Sequence, residues 1–290
     1  MTEKRIPFSK RNGYVPMIPE FQPGVIPKTV RVWFWNYLHK AATHGFHGEE
    51  WSSAGQLYSA FCVKIWCDHF KLRMDLYSTS KFKDAVTTFV LDERFPAHFT
   101  IDFIEEILAG GHFQNEAFTL SGIEGFKENL ERENAPFRFI NGQVVEINSS
   151  HEAYAIEQAC ECPFAAPQNH IKAALRLLKE DDAAAWRNSI KESIAAVESA
   201  FEELVGHREN SIGAYLKEAK KLRLDLELHP CFQKGLASFY DWTSSDQGIR
   251  HPLDEDARIP TKNDATFMLV VCSAAVNMLL RSKAAARSAK

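Results

Sequence analysis

The chain has 290 residues, of which 45% are hydrophobic and 25% charged, with a formal net charge of -4. That balance belongs to a globular chain with a substantial core, and the length suits one large domain or two ordinary ones. An acidic total excludes a surface that is a nucleic-acid footprint throughout, so any RNA contact has to be local.

In chain order, residues 1–27 hold Pro7, Pro16, Pro19, Pro23 and Pro27 and read as an extended arm. The first residues lack the apolar run of an export signal. A helix is expected after Pro27, with Val30, Trp33, Phe34, Tyr37 and Leu38 at helical spacing, ended by Gly45 and Gly48. A second helix is expected over 53–76, carrying Leu57, Phe61, Ile65 and Phe70. Shorter helices follow at 81–91, 96–108 and 122–133, the last two separated by Gly110-Gly111. In Phe137 to Ile147 the pair Asn141-Gly142 sits between two β-type runs, which is the residue pair a two-residue hairpin turn requires.

A helix over 151–159 leads to Cys160-Glu161-Cys162-Pro163, with Pro167 just beyond. Two prolines within five residues mark a domain boundary near 165. The remainder reads as helical. One helix covers 169–178. The next is capped by Asp181 or Asp182, carries Trp186, Ile190, Ile194, Val197, Phe201 and Leu204 on one face, and stops at Gly206. Helices at 212–221 and 230–242 follow. A final one at 264–281 is apolar almost all round, as suits a bundle centre or an oligomer interface. The basic tail from Arg281 to Lys290 is expected to fray. No run of 18 or more apolar residues suggests a membrane span, and the six cysteines, in no short paired framework, read as free thiols of a cytoplasmic protein.

Between the last two helices lies a polar loop, Asp241 to Pro252, with Arg250 beside His251 and with Gly248 and Pro252 around them. A guanidinium next to an imidazole suits a phosphate and a proton transfer. Arg250 also has carboxylates within sequence reach, Asp246 and the run Asp254-Glu255-Asp256.

Three segments of the C-terminal half, AWRNSIKESIAAVESA, LHPCFQKGLASFYDWTSSDQGIRHP and NDATFMLVVCSAAVNMLL, together resemble a HEPN domain of the kind attached to AbiJ-type abortive-infection proteins. PFSKRNGY, RVWFWNYLHK and FRFINGQVVEI resemble the N-terminal module of the same group. The resemblance implies a mainly α, two-domain protein: a helical sensing or regulatory domain with one hairpin over 1–165, and a HEPN-like helical bundle over 166–290. It implies a metal-independent endoribonuclease of phage defence, dimeric through the C-terminal bundle, acting on RNA with no cofactor and no metal. An antitoxin or a phage-derived trigger is a further expected partner. The implied catalytic residues are Arg250 and His251, with one of Asn188, Lys191 or Glu192 matching the polar residue of a preceding helix and Asn188 or Glu192 taken as catalytic. Lys191 and Asp246 are the implied substrate contacts. The HEPN motif spaces its arginine and histidine by four to six residues, whereas here the two are adjacent. That departure keeps a second reading open, a HEPN-type RNA- or nucleotide-binding or regulatory protein without activity. A third is a scaffold assembled through its apolar last helix.

Other constellations are weaker. His39, His44, His47 and His69 lack zinc spacing, and Cys160-x-Cys162 lacks a second cysteine pair. Arg94 and His98 flank Pro96, a helix start. Neither a phosphate-binding P-loop nor a dinucleotide fingerprint is present.

Overall fold

The structure, a computed structural model, describes residues 8–12, 14, 24–46, 51–147, 149–222, 224, 226, 229–244, 249 and 259–288. The chain is mainly α with one two-stranded hairpin and forms two compact units, 1–148 and 149–290.

The first unit contains α1 (Phe8–Arg11), α2 (Lys28–His44), α3 (Trp51–Lys64), α4 (Thr79–Leu91), α5 (Ala97–Ala109), α6 (Glu116–Arg132), β1 (Arg138–Ile140) and β2 (Gln143–Val145). Helix α3 is shorter than its periodicity suggests. It passes into a π turn, Ile65–His69, and Lys71 then takes φ 53°, which a continuing helix does not allow. Helix α6 starts six residues before the expected Gly122, because the Asn115 side chain accepts the Phe118 N–H and caps it. Gly122 and Gly125 then lie inside the helix. Either one carrying a Cβ would overlap the rings of Tyr37 and Trp33 on α2. The hairpin turn is as the sequence predicts: Asn141 and Gly142 take φ 47° and 78°, the two positive values of a type I′ turn. Arg138 pairs with Val145 and Ile140 with Gln143. A Glu105 carboxylate oxygen on α5 accepts the Val144 N–H and ties the hairpin down.

The core of this unit is aromatic, built on Phe34, Tyr37, Phe61, Phe70, Phe103, Phe113, Phe118 and Phe126. Arg31 is also inside it, only 3% exposed. Its guanidinium donates to the carbonyls of Ile26, Val90 and Phe95 and to the Thr100 hydroxyl at 2.7 Å, joining α2, α4, α5 and the segments beside them. Burial pushes this guanidinium below its ordinary pKa, against the opposing pull of Glu93 and Asp92.

The second unit contains α7 (Ser150–Cys160), α8 (Ala165–Leu177), α9 (Ala183–Val205), α10 (Ile212–Lys221), α11 (Pro230–Ser244) and α12 (Lys262–Ser288). Helix α9 is its axis, packed on α8 and α12, with α7 also against α12. Asp182 caps α9 by accepting the Ala185 N–H at 3.1 Å, and Gly206 ends it at φ 90°. The buried stripe is Ile190, Ile194, Val197 and Phe201, widened by Ser189, Ser193, Ala196 and Ala200. The small residues let the neighbouring helices approach closely. Trp186 and Leu204, expected in the stripe, are half-buried at its ends.

Two expectations fail here. Thr243 and Ser244, read as loop, continue α11 beyond its expected end at Trp242. The basic tail, expected to fray, continues α12 as helix to Ser288. Within α12 the segment Lys262–Arg281 is long and apolar enough by composition to cross a membrane. Its buried residues, among them Met268, Leu269, Cys272, Val276 and Leu279, belong to the core of the bundle. Helix α7 groups with this second unit, although the sequence places the boundary near 165.

Arg31→Lys is expected to destabilise the first unit by about 2 kcal/mol. A compact ammonium cannot reach acceptors spread over a planar fork, and buried carbonyls are left unpaired. The check is the urea midpoint of full-length protein followed by tryptophan fluorescence; an unchanged midpoint contradicts the role given to Arg31.

Candidate functional site

Arg250, His251 and Asp246 lie outside the described residues. Ile249, which precedes Arg250 in the sequence, is described and is 4% exposed. Its carbonyl accepts the Arg187 Nε–H at 2.6 Å. Ile249 is thereby held to α9 at Arg187, beside Asn188 in the sequence.

The reason lies in the period of α9. Its stripe faces α8 and α12, so the remaining residues form a polar edge. At 100° per residue, Arg187, Asn188, Lys191 and Glu192 span about 140° of arc. Asn188 is exposed, and Lys191 and Glu192 are half-buried. The structure therefore brings Asn188, Lys191 and Glu192 onto one edge, together with the anchor of Ile249.

Glu192 has a partner that sequence reasoning did not single out. Its Oε2 accepts from Nδ1 of His170 on α8 at 2.7 Å. The two side chains are 36% and 34% exposed. Arg187 was missed as well. The signal for His170 lies in the helix pair itself. Helices α8 and α9 run antiparallel around a short turn, 178–182. The contact of Ser189 Oγ with the Ala174 carbonyl at 2.9 Å fixes their register. Ser189–Ala174 and Glu192–His170 are both nearly centred on residue 181, so the first contact implies the second. Trp186, beside Arg187, keeps a buried Nε1–H with no partner among the described residues.

The weaker constellations resolve into ordinary packing. His69 lies against Phe70, Phe89 and Phe103, and desolvation lowers its pKa, with Glu106 and Asp102 pulling the other way. Arg94 is paired with Asp92, and His98 stacks on Phe99. Burial pushes the Cys160 thiol up to about 11 and also raises Cys162, the reverse of what a metal-binding or nucleophilic thiol needs. His207, Glu209 and Glu218 bring ligand-type atoms within 4.8 Å of one another. Lys221 Nζ lies 2.6 Å from Glu218 Oε2 and supplies the cation there.

Against this geometry stands one family match. The profile of AbiJ N-terminal domain 4 matches residues 7–161, more than half of the chain. The chain belongs to the AbiJ N-terminal domain 4 family. That makes it a member of the AbiJ-like abortive-infection group. No curated protein and no solved structure matches it. The AbiJ match takes in the first unit and continues through α7, ending at Glu161. The α8–α9 edge and the Arg187–Ile249 bond lie beyond it.

Arg187→Ala is expected to speed amide exchange in the peptide containing Ile249 about tenfold, the loss of one charge-assisted hydrogen bond of about 1.5 kcal/mol. Exchange within α9 is expected to stay as in wild type. Equal exchange of the Ile249 peptide in both proteins contradicts the anchor.

Proposed function

We propose that this AbiJ-family chain is a metal-independent endoribonuclease of abortive infection, with a HEPN-like bundle as its catalytic half, over about 166–290. The observation that carries the reading is the Arg187–Ile249 bond. It ties the residue before Arg250 to the α9 edge that holds Asn188, Lys191 and Glu192.

In this reading the RNA 2′-hydroxyl attacks the adjacent phosphorus. The bond from phosphorus to the 5′-oxygen breaks. The products are a 2′,3′-cyclic phosphate and a 5′-hydroxyl. His251 takes or returns a proton, and such a step contributes roughly 10²–10⁴-fold. Arg250 stabilises the added charge on the phosphorane. Asn188 or Glu192 orients the imidazole or the 2′-hydroxyl, and Lys191 and Asp246 contact the substrate. No cofactor is required. The protein acts in the cytoplasm as a homodimer through its C-terminal bundle, and the 1–165 domain receives an antitoxin or a phage-derived trigger.

The adjacency of Arg250 and His251 favours a second reading, an inactive RNA- or nucleotide-binding module at the same edge. Incubation of total bacterial RNA with protein and EDTA separates the two. Cleavage is expected to persist under chelation and to fall about 10²-fold or more in His251→Ala. RNA that is retarded on a gel but left intact supports the binding module. Cleavage by His251→Ala at the wild-type rate refutes the catalytic assignment.

A further inference from the structure

Helix α2 carries two ring stacks, each between residues four apart. Trp33 and Tyr37 stack at 5.7 Å, and Trp35 and His39 at 5.3 Å. The first stack is pressed against α6, where a Cβ on Gly122 or Gly125 would overlap its rings. The second is left uncovered among the described residues. Trp35 is half-buried and His39 exposed, and both line a cleft of the first unit.

The floor of this cleft comes from four helices. Leu38 of α2, Phe61 of α3, Phe82 and Val86 of α4 and Phe103 of α5 line it, each no more than 9% exposed. The cleft holds about 450 Å³ outside the protein atoms, part of it open to solvent. The centre of a water molecule can enter only about 40 Å³ of that space. Much empty space with little room across it describes a narrow slit, which admits a flat ring and not a globular group. Protein interiors are close-packed, and a slit between rings forfeits dispersion contacts unless a ligand supplies them. Small-molecule sites are clefts of this kind, apolar and aromatic with a few polar groups in fixed places.

The polar groups here are the Tyr58 hydroxyl, the His39 imidazole and the Lys83 ammonium. No carboxylate lines the cleft, although the whole chain is acidic. Lys83 is exposed and has no ion pair among the described residues. The Trp35 Nε1–H donates to Thr87 Oγ1 on α4 at 3.3 Å, which holds the indole in place.

We propose that the first unit binds a small planar aromatic anion in this cleft, with the ring in the slit and the charged group at Lys83 and His39. Two sources share that chemistry. One is a mononucleotide, whose base stacks on aromatic side chains whatever its identity. The other is an aromatic carboxylate. The proposal is independent of the ribonuclease reading and gives the AbiJ-type unit a ligand of its own.

The test is isothermal titration calorimetry of the full-length protein at low salt. The anions are adenosine 5′-monophosphate, uridine 5′-monophosphate and indole-3-carboxylate. Their uncharged counterparts are adenosine, uridine and indole-3-carboxamide. At least one anion is expected to bind wild type, about fivefold more tightly than its counterpart. Trp35→Ala is expected to weaken anion and counterpart alike, about tenfold or more. Lys83→Glu is expected to weaken the anion about tenfold and to leave the counterpart within about twofold. Circular dichroism melts establish that the variants fold, and Lys83→Glu changes only an exposed side chain. Tighter binding of the monophosphates identifies the nucleotide as the source, and tighter binding of indole-3-carboxylate the carboxylate. Three results overturn the proposal: no binding of any anion at about 1 mM, equal binding of anion and counterpart, or anion binding unchanged in both variants.

Discussion

Helix α9 is 23 residues long and buried along one side, which leaves no choice about where its polar residues go. Ile190, Ile194, Val197 and Phe201 face α8 and α12, so Arg187, Asn188, Lys191 and Glu192 must form the opposite edge. The rest of the second unit follows from that constraint. The α8–α9 register, set by Ser189 and Ala174, delivers His170 to Glu192. Arg187 takes the Ile249 carbonyl and holds that residue against the bundle. Side chains placed in this way are held by core packing and need little stabilisation of their own.

The first unit solves a different problem. Its core is dense with aromatic rings, yet it encloses a guanidinium. A buried charge is tolerated only where its donors are satisfied. Arg31 meets that condition through backbone carbonyls and a hydroxyl rather than through a carboxylate contact. One side chain thereby sets the placement of several segments of the AbiJ module. Gly122 and Gly125 serve the same frame from α6, allowing Tyr37 and Trp33 to lie against helix backbone.

Much of this was legible in the sequence where a local rule decides the outcome. Asn141-Gly142 specified the hairpin turn, and Asp182 and Gly206 bounded α9 as capping chemistry requires. The polar character of Asn188, Lys191 and Glu192 followed from the stripe opposite. What was not legible depended on partners distant in the chain. Arg31 reads as an ordinary helix-surface arginine until Val90 and Thr100 are brought to it. His170 reads as an unremarkable helix residue until the register of two helices is known. The end of α3 was misjudged because propensity reports neither a π turn nor a positive φ at Lys71. Continuation of α12 to Ser288 is a further case, since a basic run beyond an apolar segment carries no stop signal of its own.

The ribonuclease reading we propose has RNA bind at the α8–α9 edge and at His251. The most direct measurement is NMR of histidine-labelled protein titrated with an RNA oligonucleotide whose 2′-hydroxyls are replaced by hydrogen, which binds but cannot be cleaved. The imidazole signals of His170 and His251 are expected to shift together and to saturate at the same concentration, while buried-side histidines such as His69 stay still. Saturable binding that moves neither His170 nor His251 would contradict the account.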